Sequence, residues 1–422
     1  MKYIIIPILF LSIGFSTNAQ TKASAIIASK FVQYYNSNVP DSLFEIFSPE
    51  LQRTVTIEGT KGLVTKISSQ LGKINKSLYK GSSDVNIDEY RLSFERPLVD
   101  LAIMICDKKI TGIFQRPIEL DTAGVINKRS LDNYSVKNSY GQINGTLLLP
   151  SIKNKVPVVL LISGSGPTDR NMNQGRAVQT NSFLMLADSL SKYGIASVRY
   201  DKRGVSKSTT MQKPETVVFS DFITDAELFL KKLKDDPRFS KVIVLGHSEG
   251  AAIGINSVLA NGADGFISVC GYAKDLGTLM QEQLKNVASD KDYTLFKEVI
   301  DSLKADKIVT RELSPALNGM INSQIQPYIK SALKYNSSKE IAQLKIPLLI
   351  IGGSTDLQIS TNDAVTLAKA NHRSKLVIIK DMNHVLKYSS ADKMENLKTY
   401  NSPESPIPHL LVSEIVKFID GL

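Results

Sequence analysis

The chain has 422 residues, 42% hydrophobic and 22% charged, with no tryptophan, two cysteines and a formal net charge of +10. That length exceeds one ordinary core and predicts about two domains. The lysines are scattered, with no arginine-rich run and no basic stripe interleaved with aromatics, which argues against a nucleic-acid partner. Two cysteines do not make a disulfide framework.

The chain opens on Lys2, an apolar run over 4–15 too short to span a bilayer, and Thr17-Asn18-Ala19. This pattern predicts a leader peptide over 1–19, cut before Gln20, and export to the periplasm or beyond the cell. No cysteine follows the run, so no lipid anchor is expected, and no later run is long enough to insert in a membrane. Residues 20–125 read as a small α+β unit. Helices are expected over 23–36, 41–47 and 63–72, and strands over 90–94, 98–107 and 110–115, the last two as a hairpin turning at Lys108-Lys109. Cys106 and Cys270 each sit in an apolar run and are expected buried and unpaired.

A second domain is expected over 130–422. Strands over 134–138 and 143–149 flank a turn at Tyr140-Gly141-Gln142. After Pro150, strand and helix alternate: strand 156–162, helix 182–193, strand 196–200, helix 221–234, strand 241–245, helix 251–260, strand 265–270. Polar helical patterns over about 275–340 interrupt the series. Strands over 347–351 and 375–379 and a helix over 410–419 complete it. Such alternation predicts a parallel sheet with helices on both faces, and a reactive site at the carboxyl ends of its strands.

Three residues stand at such ends. Gly246-His247-Ser248-Glu249-Gly250 joins a strand to a helix, where small residues two before and two after a serine permit the tight turn that presents its hydroxyl. Ser248 is therefore the expected nucleophile, and Gly246 and Gly250 shape its elbow. A serine needs a base. Of four histidines, His384 follows the last strand; His247 lies inside the elbow, His372 in a connection and His409 beside prolines. Asp356, after strand 347–351, is the expected carboxylate partner, ahead of Asp363 and Asp381. An oxyanion hole is expected from the N–H of Glu249 and that of Ser165, with Gly166 the alternative, in Ser163-Gly164-Ser165-Gly166-Pro167-Thr168-Asp169-Arg170. That loop lacks the Gly-Lys-Ser/Thr ending of a nucleotide loop. No metal is expected, because neither His-x-x-x-His spacing nor a cysteine cluster occurs. Arg203, in Asp201-Lys202-Arg203-Gly204, reads as structural.

Taken together, Ser163 to Arg170, Arg199-Tyr200-Asp201-Lys202-Arg203-Gly204 and Gly246 to Gly250 resemble bacterial α/β-hydrolases of the acyl-esterase and serine-aminopeptidase-like group. Similar proteins often carry a small N-terminal α+β domain. One departure is Ser206, where a second glycine is usual. The resemblance implies an α/β-hydrolase fold over about 134–422, Ser248, Asp356 and His384 as triad, no cofactor, and a small acyl ester as substrate. Residues 275–340 would be a lid. A peptidase using the same triad, or a non-catalytic binding protein with a vestigial hydrolase core, are the alternatives.

Overall fold

The structure is a computed structural model describing residues 15–16, 22–83, 87–95, 100–116, 129–131, 133–150, 154–285 and 287–422. The chain divides into two compact units, Met1–Asp121 and Thr122–Leu422. Among the described residues no helix is long and apolar enough to cross a membrane. Most of the expected leader lies outside the described residues.

Among the described residues the first unit holds four helices, α1 (Lys22–Asn36), α2 (Pro40–Glu45), α3 (Pro49–Thr54) and α4 (Ile57–Leu71), and an antiparallel sheet ordered β1 (Phe15–Ser16), β2 (Ile74–Ser83), β3 (Asp88–Phe94), β4 (Asp100–Cys106), β5 (Lys109–Arg116). Pro40 ends α1's run and stands in the first turn of α2, where its missing N–H has no partner to lose. Strand β2 escapes the sequence pattern because lysine, serine and glycine dominate Ile74–Ser83, yet it pairs along β3 with two register shifts. Phe31, Tyr35, Phe47, Leu92, Ile103 and Ile110 form the unit's core.

The second unit carries an eight-stranded sheet. Its strands are β6 (Arg129–Leu131), β9 (Gly145–Leu149), β10 (Val156–Ile162), β11 (Ala196–Tyr200), β12 (Phe239–His247), β13 (Gly265–Val269), β14 (Leu348–Gly353) and β15 (Ser374–Ile379), ordered β15-β14-β13-β12-β10-β11-β9-β6. The six strands from β15 to β11 are parallel; β9 and β6 run antiparallel at one edge. Strand β10 is buried on both faces, as a parallel strand between helical layers must be. Val158, Leu160 and Ile162 enter one core and Val159 and Leu161 the other. Each such buried side chain contributes about 1.5–3 kcal/mol.

The helices are α5 (Ser182–Lys192), α6 (Phe219–Lys234), α7 (Glu249–Asn261), five in the insertion, α8 (Leu276–Leu284), α9 (Asp290–Lys304), α10 (Pro315–Ile321), α11 (Gln326–Ala332) and α12 (Ser337–Ile341), then α13 (Thr361–Ala370), α14 (Lys393–Lys398) and α15 (His409–Asp420). The insertion has its own core, in which Phe296, Val299, Ile300 and Leu303 of α9 share one helical face and pack with Leu317 and Ile321.

One local expectation is corrected. Gly141 and Gln142 are not a turn but the start of β8 (Gly141–Ile143), paired with β7 (Val136–Asn138). The Asn138 side-chain oxygen accepts from the N–H groups of Tyr140 and Gly141, at 2.8 and 2.9 Å. That Asx turn moves the reversal two residues towards the N-terminus.

Candidate active site

Strand β12 ends at His247 and α7 begins at Glu249, so Ser248 alone makes the turn. Its φ of 54° and ψ of −123° place a non-glycine residue in a strained region that costs of the order of 1–3 kcal/mol. The Ser248 N–H donates to the Val269 carbonyl at 3.0 Å, fixing the elbow to β13. The flanking glycines are needed for space. A Cβ on Gly246 would stand 2.2 Å from the Gly250 carbonyl oxygen, and one on Gly250 2.2 Å from that of Ile162. Both obstacles are backbone. Gly250→Ala is therefore expected to lower stability by about 3 kcal/mol or more, read from the denaturant midpoint; a midpoint unchanged from the parent would contradict this packing.

Gly164, in the loop after β10, lies against the elbow: a Cβ there would fall 3.1 Å from the Ser248 Cβ and 3.1 Å from His247 Nδ1, a tight fit that requires these neighbours to give. The Ser165 carbonyl accepts from Gln174 Nε2 at 2.7 Å and Thr168 Oγ1 at 3.1 Å, while Gly166 takes a φ of 84°. The loop's shape is thus held through its carbonyl side.

Asp356 lies three residues beyond β14 and His384 five beyond β15. His384 Nδ1–H donates to Asp356 Oδ2 at 2.8 Å, and the Asp356 side chain is 1% exposed. The other carboxylate oxygen accepts from the N–H groups of Gln358 and Ile359 at 2.8 and 2.9 Å. Burial pushes this carboxyl up; the His384 ring and these two N–H groups outweigh it and hold the acid below its usual range. The two loops are stitched together: Thr355 N–H donates to the Met382 carbonyl at 3.1 Å, and Asp381 N–H to Ser354 Oγ at 2.8 Å. Asn396 donates to the Thr355 carbonyl and accepts from Asn383.

The rival acids are engaged elsewhere. Asp363 accepts from Ala273 N–H and pairs with Lys274, and Asp381 is exposed. His372 is exposed and His409 opens α15.

A model of the family described as serine aminopeptidase, S33, matches residues 172–388, just over half of the chain and all three of Ser248, Asp356 and His384. The chain belongs to the S33 serine aminopeptidase family. Esterase EstD of Thermotoga maritima is 25% identical over 369 residues, covering 84% of this chain and 86% of the relative. Among solved structures, Est1E from Butyrivibrio proteoclasticus is 15% identical with a TM-score of 0.46, over 69% of this chain and 100% of that one. An esterase of Pyrococcus furiosus is 15% identical with a TM-score of 0.45, over 71% and 92%.

In this S33 family member the motif after β11 supplies four ion pairs, the longest of them Arg203 to Asp221 at 3.5 Å. Arg170 takes both oxygens of Asp201, at 2.6 and 3.0 Å, and Arg203 takes both of Asp225, at 2.6 and 3.0 Å. These bidentate pairs tie the oxyanion loop to β11 and the following loop to α6. Sequence reading gave Arg203 a structural role and named no partner for Arg170 or Lys202. Lys202 Nζ stands 3.1 Å from Glu249 Oε1, both side chains only 4% exposed, directly beside Ser248. Burial, then the Glu249 charge, pushes the phenol of Tyr328 on α11 well above its ordinary range. Nothing in the residue spacing links 202 with 249; only the sheet does, in which β11 and β12 flank β10 and end on the same rim.

Two further groups were not anticipated. Buried His247, expected only to lie inside the elbow, has its ring 4.8 Å from that of His384. Among the described residues, His247, Cys270 and His384 bring metal-capable atoms within 4.8 Å of one another. An ion there would engage His384. Their separation along the chain hides such a group from any rule about ligand spacing. Both cysteines are free. Burial, then the Asp356 charge, pushes the Cys270 thiol well up.

Lys387, three residues after His384, is fully buried and reaches the Ser405 carbonyl and Met185 Sδ. Burial pushes its ammonium down to about 8 from an ordinary 10.5, partly opposed by Glu404. Below about pH 8 both folded and unfolded chains hold this proton, and the burial penalty is fully present. Between about 8 and 10.5 the unfolded chain holds more protons, so folding gains stability as pH rises. The unfolding free energy of the parent, measured against Lys387→Met, should rise across that window by on the order of 3 kcal/mol. A flat difference would show that the amine titrates alike in both states.

Proposed function

We propose that the chain is an exported serine hydrolase that cleaves carboxylic esters through an acyl-enzyme. The observation that carries this reading is the 2.8 Å bond from His384 Nδ1–H to a buried Asp356, set past neighbouring strand ends on the same rim of the sheet as the strained Ser248. With Nδ1 protonated, Nε2 carries the lone pair that a general base requires. As Ser248 Oγ bonds to the acyl carbon, its proton passes to His384 Nε2. The carbonyl oxygen becomes an oxyanion, met by the N–H groups of Glu249 and Ser165. His384 then protonates the departing alkoxide, and the alcohol leaves. Water repeats the sequence on the acyl-enzyme and frees the acid. Helices α8 to α12 form a lid, whose Tyr328 on α11 feels the Glu249 charge.

A peptidase with the same triad is the second reading, favoured by the family's name. Recognising a free substrate ammonium calls for an unpaired carboxylate, and Glu249 beside the nucleophile is already paired with Lys202. This favours the ester. The deciding measurement sets p-nitrophenyl esters of increasing acyl length beside aminoacyl and peptidyl amides. Faster turnover of the amides would replace the ester reading. No turnover of either, with no fluorophosphonate label on Ser248, would remove the enzyme reading altogether.

A further inference from the structure

His247 touches all three parts of the site. It is the last residue of β12, immediately before the nucleophile. Its Nε2 lies 2.8 Å from the main-chain carbonyl oxygen of His384, a buried bond across 137 positions of sequence. A carbonyl only accepts, so Nε2 must carry the proton and donate. Nδ1 then holds a lone pair, is buried, and has no hydrogen-bond partner among the described residues. It faces Gly164, the first glycine of the oxyanion loop. The ring is held edge-on by Phe183 at 6.3 Å and 84°, and lies tilted against the His384 ring at 4.8 Å and 54°. Burial, reinforced by His384, lowers its pKa to about 3, so the ring is neutral at any working pH. A neutral ring with one N–H has a single use here.

On the hydrolase reading above, we propose that His247 is a positioning residue: its Nε2–H pins the backbone of the base to the nucleophile's own strand. The His384 side chain is set at one end by Asp356. Its backbone, on a loop five residues beyond the edge strand, is anchored from the opposite side by His247. The bond therefore sets the separation of base and nucleophile, which no contact of Asp356 can do. Removing the donor lets the base drift without unfolding the loop, which Asn383, Asn396 and Ser182 continue to hold.

The consequence is a defect in kcat with substrate binding unchanged. In His247→Phe, a ring of similar size with no donor, kcat should fall about 10²-fold, the loss that accompanies misplacement of a reacting group by roughly 1 Å. KM should stay within about threefold. His247→Gln places an amide N–H where Nε2–H was and should recover most of that loss; His247→Asn, whose amide reaches only the δ position, should not. The low-field proton resonance of the His384–Asp356 bond should persist in the glutamine variant and broaden in the phenylalanine one. If folded His247→Phe keeps kcat within about threefold of the parent, or if the glutamine and asparagine variants are equally slow, the role is purely structural and the proposal is overturned. If His247→Phe does not fold, the comparison of the two amide variants decides alone. A parent protein with neither turnover nor phosphonate labelling would instead overturn the hydrolase reading, a separate result.

Discussion

Ser248→Ala should reduce ester turnover by about 10⁴–10⁶-fold while leaving the fold intact. The hydroxyl is the only atom removed, and without it neither the bond to carbon nor the acyl-enzyme can form. What survives is whatever the oxyanion donors and the bound geometry achieve for direct attack by water. The fold should be indifferent because alanine carries the same Cβ at the same φ of 54°, so the strain at the elbow is neither relieved nor increased. Both halves can be measured on one preparation, by initial rate with a short-chain ester and by thermal unfolding. Covalent labelling with a fluorophosphonate should vanish in parallel. A variant that kept more than about a hundredth of the parent rate would place the nucleophile elsewhere.

The second large effect is expected at Asp356→Asn, about 10⁴-fold in kcat. The carboxylate only accepts hydrogen bonds, which forces the proton of His384 onto Nδ1 and leaves Nε2 free as the base. An amide can turn its NH₂ towards the ring, favouring the wrong tautomer in nearly unchanged geometry. The charge that stabilises the imidazolium is lost as well. The pH dependence of stability carries a second signature. The folded Asp356 carboxyl lies below its usual range, so its stabilising contribution is present above that range and fades as pH falls through it. The acid limb of the stability curve should therefore flatten in Asp356→Asn. If activity survives within tenfold, or if the acid limb is unchanged, the 2.8 Å pair is not what orients the base.

Much of this architecture was legible because parallel strands must be buried on both faces. Continuous runs such as 156–162 and 241–245 are hard to read as anything else, and the helical gaps between them leave one rim on which Ser248, Asp356 and His384 follow strand ends. The helical insertion was legible as an interruption in strand periodicity. Strand β2 was not, since its serines, lysines and glycine carry no apolar alternation and it is stabilised by pairing with β3. The turn at Asn138 was misplaced because a side-chain oxygen, not a glycine, set it.

The roles of His247 and Lys202 show where local reading ends. Each sits inside a recognised motif, one beside the nucleophile and one in the loop after β11, and neither motif announces a partner. The bond from His247 to the His384 carbonyl and the buried pair of Lys202 with Glu249 join positions 137 and 47 residues apart. From the order of residues alone followed the parallel sheet, its rim, and the residue types able to move a proton there. Strand order β15-β14-β13-β12-β10-β11 decided which of those residues meet, and burial decided which stay charged or neutral. Periodicity is a local property of the chain, whereas contact and solvation depend on everything that packs around a group.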